Sequence, residues 1–375
     1  MGLFNKKERG AVLIDIGSSS VGGAFLYEKQ GEVPTLCYTT RQDVERRDDE
    51  EIGEATVRTL KSVCDSLVSE GAACLYRVAG NAHIDTVLAS VSAPWQETVV
   101  STVSINEGAP FVFTRALMQK AVSATPPSVD RVISDTSVIA TSLNGYVTDQ
   151  PWGKRAERAD LTVLTSTLDK VVMRGINTAL RKAFHAHTIE ITAFAPVAYA
   201  VLSDLYPLQK EFVLIDVSGT ATDAILVKKG VIAGVSSIPK GVHDLLAAAR
   251  GAARTPGNSI VIDPARNASF GPKVAEAEAV WLSGMKKMLT EFASEHPLPR
   301  SVFLLADEGT RDFLKRLLDS STLRTLWLSE EPLSVIPLAP EHTASVVRAR
   351  GLAEGDIFLS MLALYYKERL AQPQK

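Results

Sequence analysis

Two aspartates close two nearly identical apolar runs: Val12-Leu13-Ile14-Asp15 recurs verbatim as Val213-Leu214-Ile215-Asp216. The first is followed by Ile16-Gly17-Ser18-Ser19-Ser20, the second by Val217-Ser218-Gly219-Thr220. A tight turn of glycine and hydroxyl residues between two strands points successive backbone N–H groups at one spot, and its small side chains let an anion approach the backbone. A carboxylate at the strand end suits a hydrated Mg²⁺, which keeps several waters and takes few direct carboxylates. If the two copies face each other across a cleft, their turns can grip one polyphosphate from both sides. Asp15 and Asp216 are then the candidate metal groups. The plainer alternative is that each aspartate only caps its own turn.

The elements that position these residues follow from the repeat. In each copy the apolar run returns after the turn, so each is a strand, a tight turn and a strand. Third strands are expected at 35–39 and 231–236, after turns carrying Gly31 and Gly230. An amphipathic helix over 50–69 follows in the first half, with Val57, Leu60, Cys64, Leu67 and Val68 at three-to-four spacing. Gly71 should end it, and 73–78 reads as a fourth strand. In the second half helical segments follow Gly241, with a longer one over 273–292, and 301–305 is the matching strand.

Between the halves, strand-like pieces at 85–92, 97–103, 131–144 and 160–166 accompany helices at 114–122 and 168–184. This predicts an α+β subdomain inserted into the first half. The expected fold class is α/β, two related domains. Domain I covers 1–208, with a core of 1–82 and 185–208 around an inserted subdomain at 83–184. Domain II covers 209–375, with a core of 209–240 and 300–375 and an insertion at 241–299.

The chain has 375 residues, 46% of them hydrophobic and 22% charged, which supports a sizeable core and excludes a disordered chain. Its 40 basic and 43 acidic residues give a net charge of −3, with no basic excess for nucleic acid. Cys37, Cys64 and Cys74 form no CxxC pair, and read as reduced thiols of a cytoplasmic protein. No apolar run reaches the roughly 18 residues of a membrane span. His185 and His187 have a metal-like spacing, but a helix C-terminus accounts for them without a ligand.

Taken together, the paired motifs Asp15-Ile16-Gly17-Ser18-Ser19 and Asp216-Val217-Ser218-Gly219-Thr220 resemble the two phosphate motifs of the actin-like ATPase superfamily. The narrower resemblance is to its bacterial PilM and FtsA branch. It is carried by the opening Met1-Gly2-Leu3-Phe4, the segment 191–202 before the second motif, Ile238-Pro239-Lys240-Gly241-Val242, and the stretch 143–154. The resemblance implies two RNase H-like domains with a cleft binding ATP or ADP with Mg²⁺. Asp15, Gly17, Ser18, Ser19 and Ser20 would contact the nucleotide from one side, and Asp216, Ser218, Gly219 and Thr220 from the other. Ala306 and Asp307 stand where the family's adenosine motif begins.

The sequence departs from the family at three points. The lysine expected after the first turn is replaced by Ser20 and Gly22, the second motif keeps only Gly219, and Ala306-Asp307-Glu308-Gly309 lacks paired glycines. No residue is placed to activate a water, so the implied activity is at most a weak ATPase and no catalytic residue is assigned. The role implied is a cytoplasmic scaffold of type IV pilus assembly, at the inner face of the membrane. Its implied partner is the cytoplasmic N-terminal peptide of an inner-membrane PilN-like protein, docked by domain I and its subdomain, with self-association possible. An FtsA-like division scaffold, a nucleotide-free pseudo-ATPase and a small-molecule kinase are the alternatives. The kinase needs a further catalytic carboxylate that the sequence does not place. The terminal helix, 356–370, is expected to pack against domain II.

Overall fold

Val12, Leu13 and Ile14 are apolar in succession because both faces of their strand are covered. The computed structural model describes residues 8–80, 84–123, 129–250, 271–327 and 333–371; the Met1–Phe4 motif and His83 lie outside them. Strand β1 (Glu8–Ile16) pairs antiparallel with β2 (Ser20–Lys29), which pairs antiparallel with β3 (Thr35–Asp43). Along β1 the side chains alternate between two cores, Val12, Ile14 and Ile16 on one side and Ala11 and Leu13 on the other.

Helix α1 (Ile52–Ser66) passes through a single π turn, Leu67–Gly71, into α2 (Ala72–Ala79). The stretch 73–78, expected as a strand, is therefore helix, and Gly71 does not end the helix before it. Gly71 serves close packing instead: a Cβ there would lie 2.7 Å from the Phe25 ring. The stop is Gly80, at φ +60°, whose N–H donates to the Tyr76 carbonyl at 2.8 Å. The fourth strand is β4 (Ile84–Val91), parallel to β1. The sequence boundaries place it in the inserted subdomain, but its apolar run is buried on both faces in the first sheet.

The inserted elements are β5 (Gln96–Ile105), β6 (Phe111–Val112), α3 (Arg115–Val122), β7 (Arg131–Leu143), β8 (Tyr146–Val147), β9 (Arg155–Ala156) and β10 (Ala159–Asp169). They make a sheet in the order β5-β10-β7-β8, with β6 and β9 paired separately. Helix α4 (Lys170–Ala183) starts where the Asp169 carboxylate accepts the N–H groups of Val171 and Val172 at 2.9 Å. Its buried side Val172, Ile176 and Leu180 joins the core of the first half, against α1, and is not part of the inserted subdomain as expected. Next come β11 (Thr188–Ala193), parallel to β4, and α5 (Phe194–Leu205).

The second half contains β12 (Phe212–Val217), β13 (Thr222–Lys228), β14 (Val231–Ile238), α6 (Val242–Arg250), α7 (Gly271–Glu295), β15 (Ser301–Ala306), α8 (Glu308–Leu318), α9 (Ser321–Arg324) and β16 (Ser334–Pro337). Its sheet runs β14-β13-β12-β15-β16. The first sheet runs β3-β2-β1-β4-β11 in the same sense, with three antiparallel strands and then two parallel ones. The repeat legible as four residues is thus a repeat of five strands.

The chain then returns. Strand β17 (Arg348–Leu352) pairs parallel with β3 at the edge of the first sheet, and α10 (Ile357–Ala371) packs on α5, β1, β2 and β4. The terminal helix therefore belongs with the first half and not, as expected, with domain II. Leu359, Met361, Leu362 and Ala363 are fully buried. They share a core with Phe194 and Val201 of α5, Leu13 of β1 and Leu214 of β12. A helix apolar on all sides must be covered on all sides, and this one lies between the two halves.

Candidate functional site

The two predicted turns form equivalent closures. Gly17 N–H donates to the Ser20 carbonyl, and Ser218 N–H to the Ala221 carbonyl, each at 3.0 Å. Asp15 and Asp216 occupy the same place in their hairpins, opposite Gly22 and Asp223 respectively. Asp307 follows the end of β15, where Ala306 pairs with Val217 beside the second turn.

The turns face each other, and they touch. Thr220 N–H donates to Ser18 Oγ at 3.0 Å, and Ser18 Oγ lies 3.1 Å from Ser218 Oγ. A Cβ on Gly219 would stand 2.6 Å from the Ser18 carbonyl carbon and oxygen. Ser218 Oγ also donates to the Ala93 carbonyl at 2.9 Å. Ser20 Oγ reaches Asp307 Oδ1 at 3.0 Å. Ser19 takes no part in this junction; its carbonyl accepts Val44 N–H at 2.7 Å.

A residue outside the motifs organises the site. Arg41, on β3, donates from Nε to Asp356 Oδ2 at 2.7 Å and from Nη2 to Asp356 Oδ1 at 3.1 Å. Nη2 also reaches Asp15 Oδ2 at 3.0 Å, and Nη1 reaches Ser20 Oγ at 2.8 Å. The guanidinium stands 5.0 Å from the Phe358 ring centre. Burial opposes its charge, but Asp356 and Asp15 outweigh that and push its pKa up. Burial pushes the Asp15 carboxyl up to about 6 against the pull of Arg41. Asp356 is held below the usual range: burial works against this, but Arg41 and the N–H of Leu359 prevail.

The second half contributes two more buried acids. Asp223 accepts from Gln96 Nε2 at 2.7 Å, a bond between the start of the inserted subdomain and the second half. Burial raises Asp223 to about 6. Asp216 is raised well above its ordinary value, by burial first and then by Asp223, Asp15 and Asp307.

This geometry does not accommodate a magnesium polyphosphate gripped between the turns. Both Asp15 oxygens are engaged, Oδ2 by Arg41 and Oδ1 by Ser90 Oγ at 3.1 Å. The turns bond to each other where the phosphate would lie. Among the described residues no group of three His, Cys, Asp or Glu could hold a metal ion. His185 and His187 are exposed just past the end of α4.

Among solved structures, the chain is similar to a chain of the PilM-PilN type IV pilus biogenesis complex. The match has 15% identity and a TM-score of 0.62, over 97% of this chain and 99% of that one. With the duplicated five-strand order, this decides the architecture. The fold is actin-like. Two looser likenesses are a Bacteroides thetaiotaomicron protein with an actin-like ATPase fold (8% identity, TM-score 0.44, 97% and 99% covered) and the ethanolamine utilization protein EutJ from Carboxydothermus hydrogenoformans (11%, 0.46, 97% and 91%). No protein-family model and no curated protein matches the chain.

Within the actin-like fold, sequence reasoning found both turns and missed Arg41, Asp356 and Gln96. One signal was available: the pair Gly22-Gly23 inside a strand marks close approach. A Cβ on Gly22 would lie 2.6 Å from Arg41 Nη2, and one on Gly23 2.6 Å from Val63.

Proposed function

We propose that the protein is a PilM-like scaffold at the cytoplasmic face of a membrane, binding the cytoplasmic N-terminal peptide of a PilN-like partner. The observation that carries this reading is the likeness to the PilM-PilN complex, which runs through nearly the full length of both chains. No described helix is long and apolar enough to cross a membrane, which agrees with attachment through a partner.

The inserted subdomain offers the docking surface. A cavity of about 1000 Å³ lies between it and the second half, with Met118, Val138 and Trp152 on one wall and Lys229 and Val231 on the other. Strand β7 pairs with β8 only at Ser142 and Leu143, and the rest of that edge has no strand partner among the described residues. Tyr146 and Val147, beside it, are 80% and 76% exposed. An open strand edge next to an apolar cavity suits an extended peptide, with backbone bonds to the edge and alternate side chains in the cavity. The exposed Lys229 calls for an acidic residue in that peptide.

The test is titration of a PilN-like cytoplasmic peptide into the full chain. Saturable binding should weaken with Trp152→Ala and with Val138→Lys, and exchange protection should fall on β7. Protection confined to the second half would contradict the reading. An FtsA-like division scaffold using its terminal helix on a membrane is less well supported, because α10 is a core element.

A further inference from the structure

The residues whose types suggest a bound phosphate and cation are satisfied by one another. Of the five N–H groups of Arg41, four are used: three on Asp356 and Asp15, and one on Ser20. Ser20 passes the connection to the second half through Asp307. A second crossing runs from Ser18 to Ser218 and Thr220, and a third from Gln96 to Asp223. Ser18 is fully buried and Ser20 is 2% exposed, so water does not compete for these bonds. Charge-assisted bonds dominate such a network, and four of them are donated by one guanidinium.

We propose that the cleft is an internal lock that closes the two halves without nucleotide: Arg41 supplies the positive charge a bound cation would bring, and the paired turns grip each other in place of a phosphate. This goes beyond the scaffold role. Closure is set by side chains of the two halves, and a partner that opens the molecule must break Ser20–Asp307 and Ser18–Thr220. The two carboxylates nearest the guanidinium, Asp15 and Asp356, come from opposite ends of the chain, so the lock also pins α10 to the first sheet.

The experiment uses the full chain, with melting curves in millimolar Mg-ATP and hydrogen exchange on the wild type, Ser20→Ala and Asp307→Ala. A ligand that binds only the folded state must raise the melting temperature as its concentration rises. The lock requires no such rise in the wild type. It also requires about tenfold faster exchange at 16–20 and 217–221 in both variants, which break the same bond from opposite sides. A concentration-dependent rise with Mg-ATP overturns the proposal, and so does unchanged exchange at both turns in either folded variant. Peptide binding is read separately, so a failure of docking leaves this result standing.

Discussion

Arg41 fills the space that Gly22, its partner on the adjacent strand, leaves empty. The two residues are in direct register, and a Cβ on Gly22 would lie 2.6 Å from the Arg41 Nη2 atom. The positive charge that the sequence lacks after the first turn is therefore present, supplied from β3. It faces Asp15 and Asp356, and the absence of a side chain at Gly22 is what admits it.

Gly22→Ala should accordingly displace the guanidinium. The atom it would strike ends a flexible side chain, but that end is held by two carboxylates. A loss of about 1–3 kcal/mol is expected, as for overpacking of a filled site. Urea unfolding measures it, and an alanine variant as stable as the wild type would show that the arginine is loosely held.

Arg41→Met leaves Asp15 and Asp356 with no cation. Removing one partner of a buried pair typically costs about 3–5 kcal/mol. Arg41 keeps 23% of its side chain exposed, which places the expectation at the lower end. Combining it with Asp356→Asn should recover part of the loss, and a double-mutant cycle isolates the coupling. Simple additivity of the two substitutions would refute the pairing.

The buried acids give a pH dependence of definite sign. Asp15 and Asp223 are raised to about 6 in the folded protein, and Asp216 is raised well above the ordinary aspartate value. An unfolded aspartate titrates near about 3.9. The folded form thus holds protons more tightly, and these groups' contribution is complete below the unfolded value and lost as pH rises through the folded ones. Asp216→Asn cannot ionise, so it should be more stable than the wild type near neutral pH, with the advantage shrinking on acidification. Melting curves across that range test this; an asparagine variant less stable than the wild type at neutral pH would contradict it.

The contact between α5 and α10 carries a second titration. Glu368 is raised to about 7 by burial first and then by its hydrogen bond with Asp204. Its contribution is therefore present below the unfolded glutamate value and lost as pH rises through about 7. Glu368→Gln should gain stability relative to the wild type on the alkaline side of that value. A difference independent of pH would mean that the carboxyls do not share a proton.

Particular residues show why some of the fold was legible and some was not. The hairpins around Gly17 and Gly219 were readable because turn chemistry and strand alternation are local. Helix α1 was readable from the spacing of Leu60, Cys64 and Leu67. The stretch 73–78 was misread because a short apolar run fits a buried strand or a helix equally well; in the structure it continues the preceding helix through the turn at Leu67–Gly71. Strand β4 was found but assigned to the wrong sheet, since pairing with β1 is decided by register between distant segments. The two turns were legible one by one, yet their direct bonding was invisible without the closure angle.

By itself the sequence determined a duplicated α/β architecture, the place of each turn and the aspartate that ends each leading strand. Hydrophobic period and turn-residue geometry act over a few residues and leave their mark in the chain. Only the tertiary structure decided what those turns hold. Arg41 and Asp356 are 315 positions apart, and Ser18 and Thr220 are 202. Nothing local records such pairs: their bonds form only once β3 and α10 are packed on one sheet and the two halves have closed.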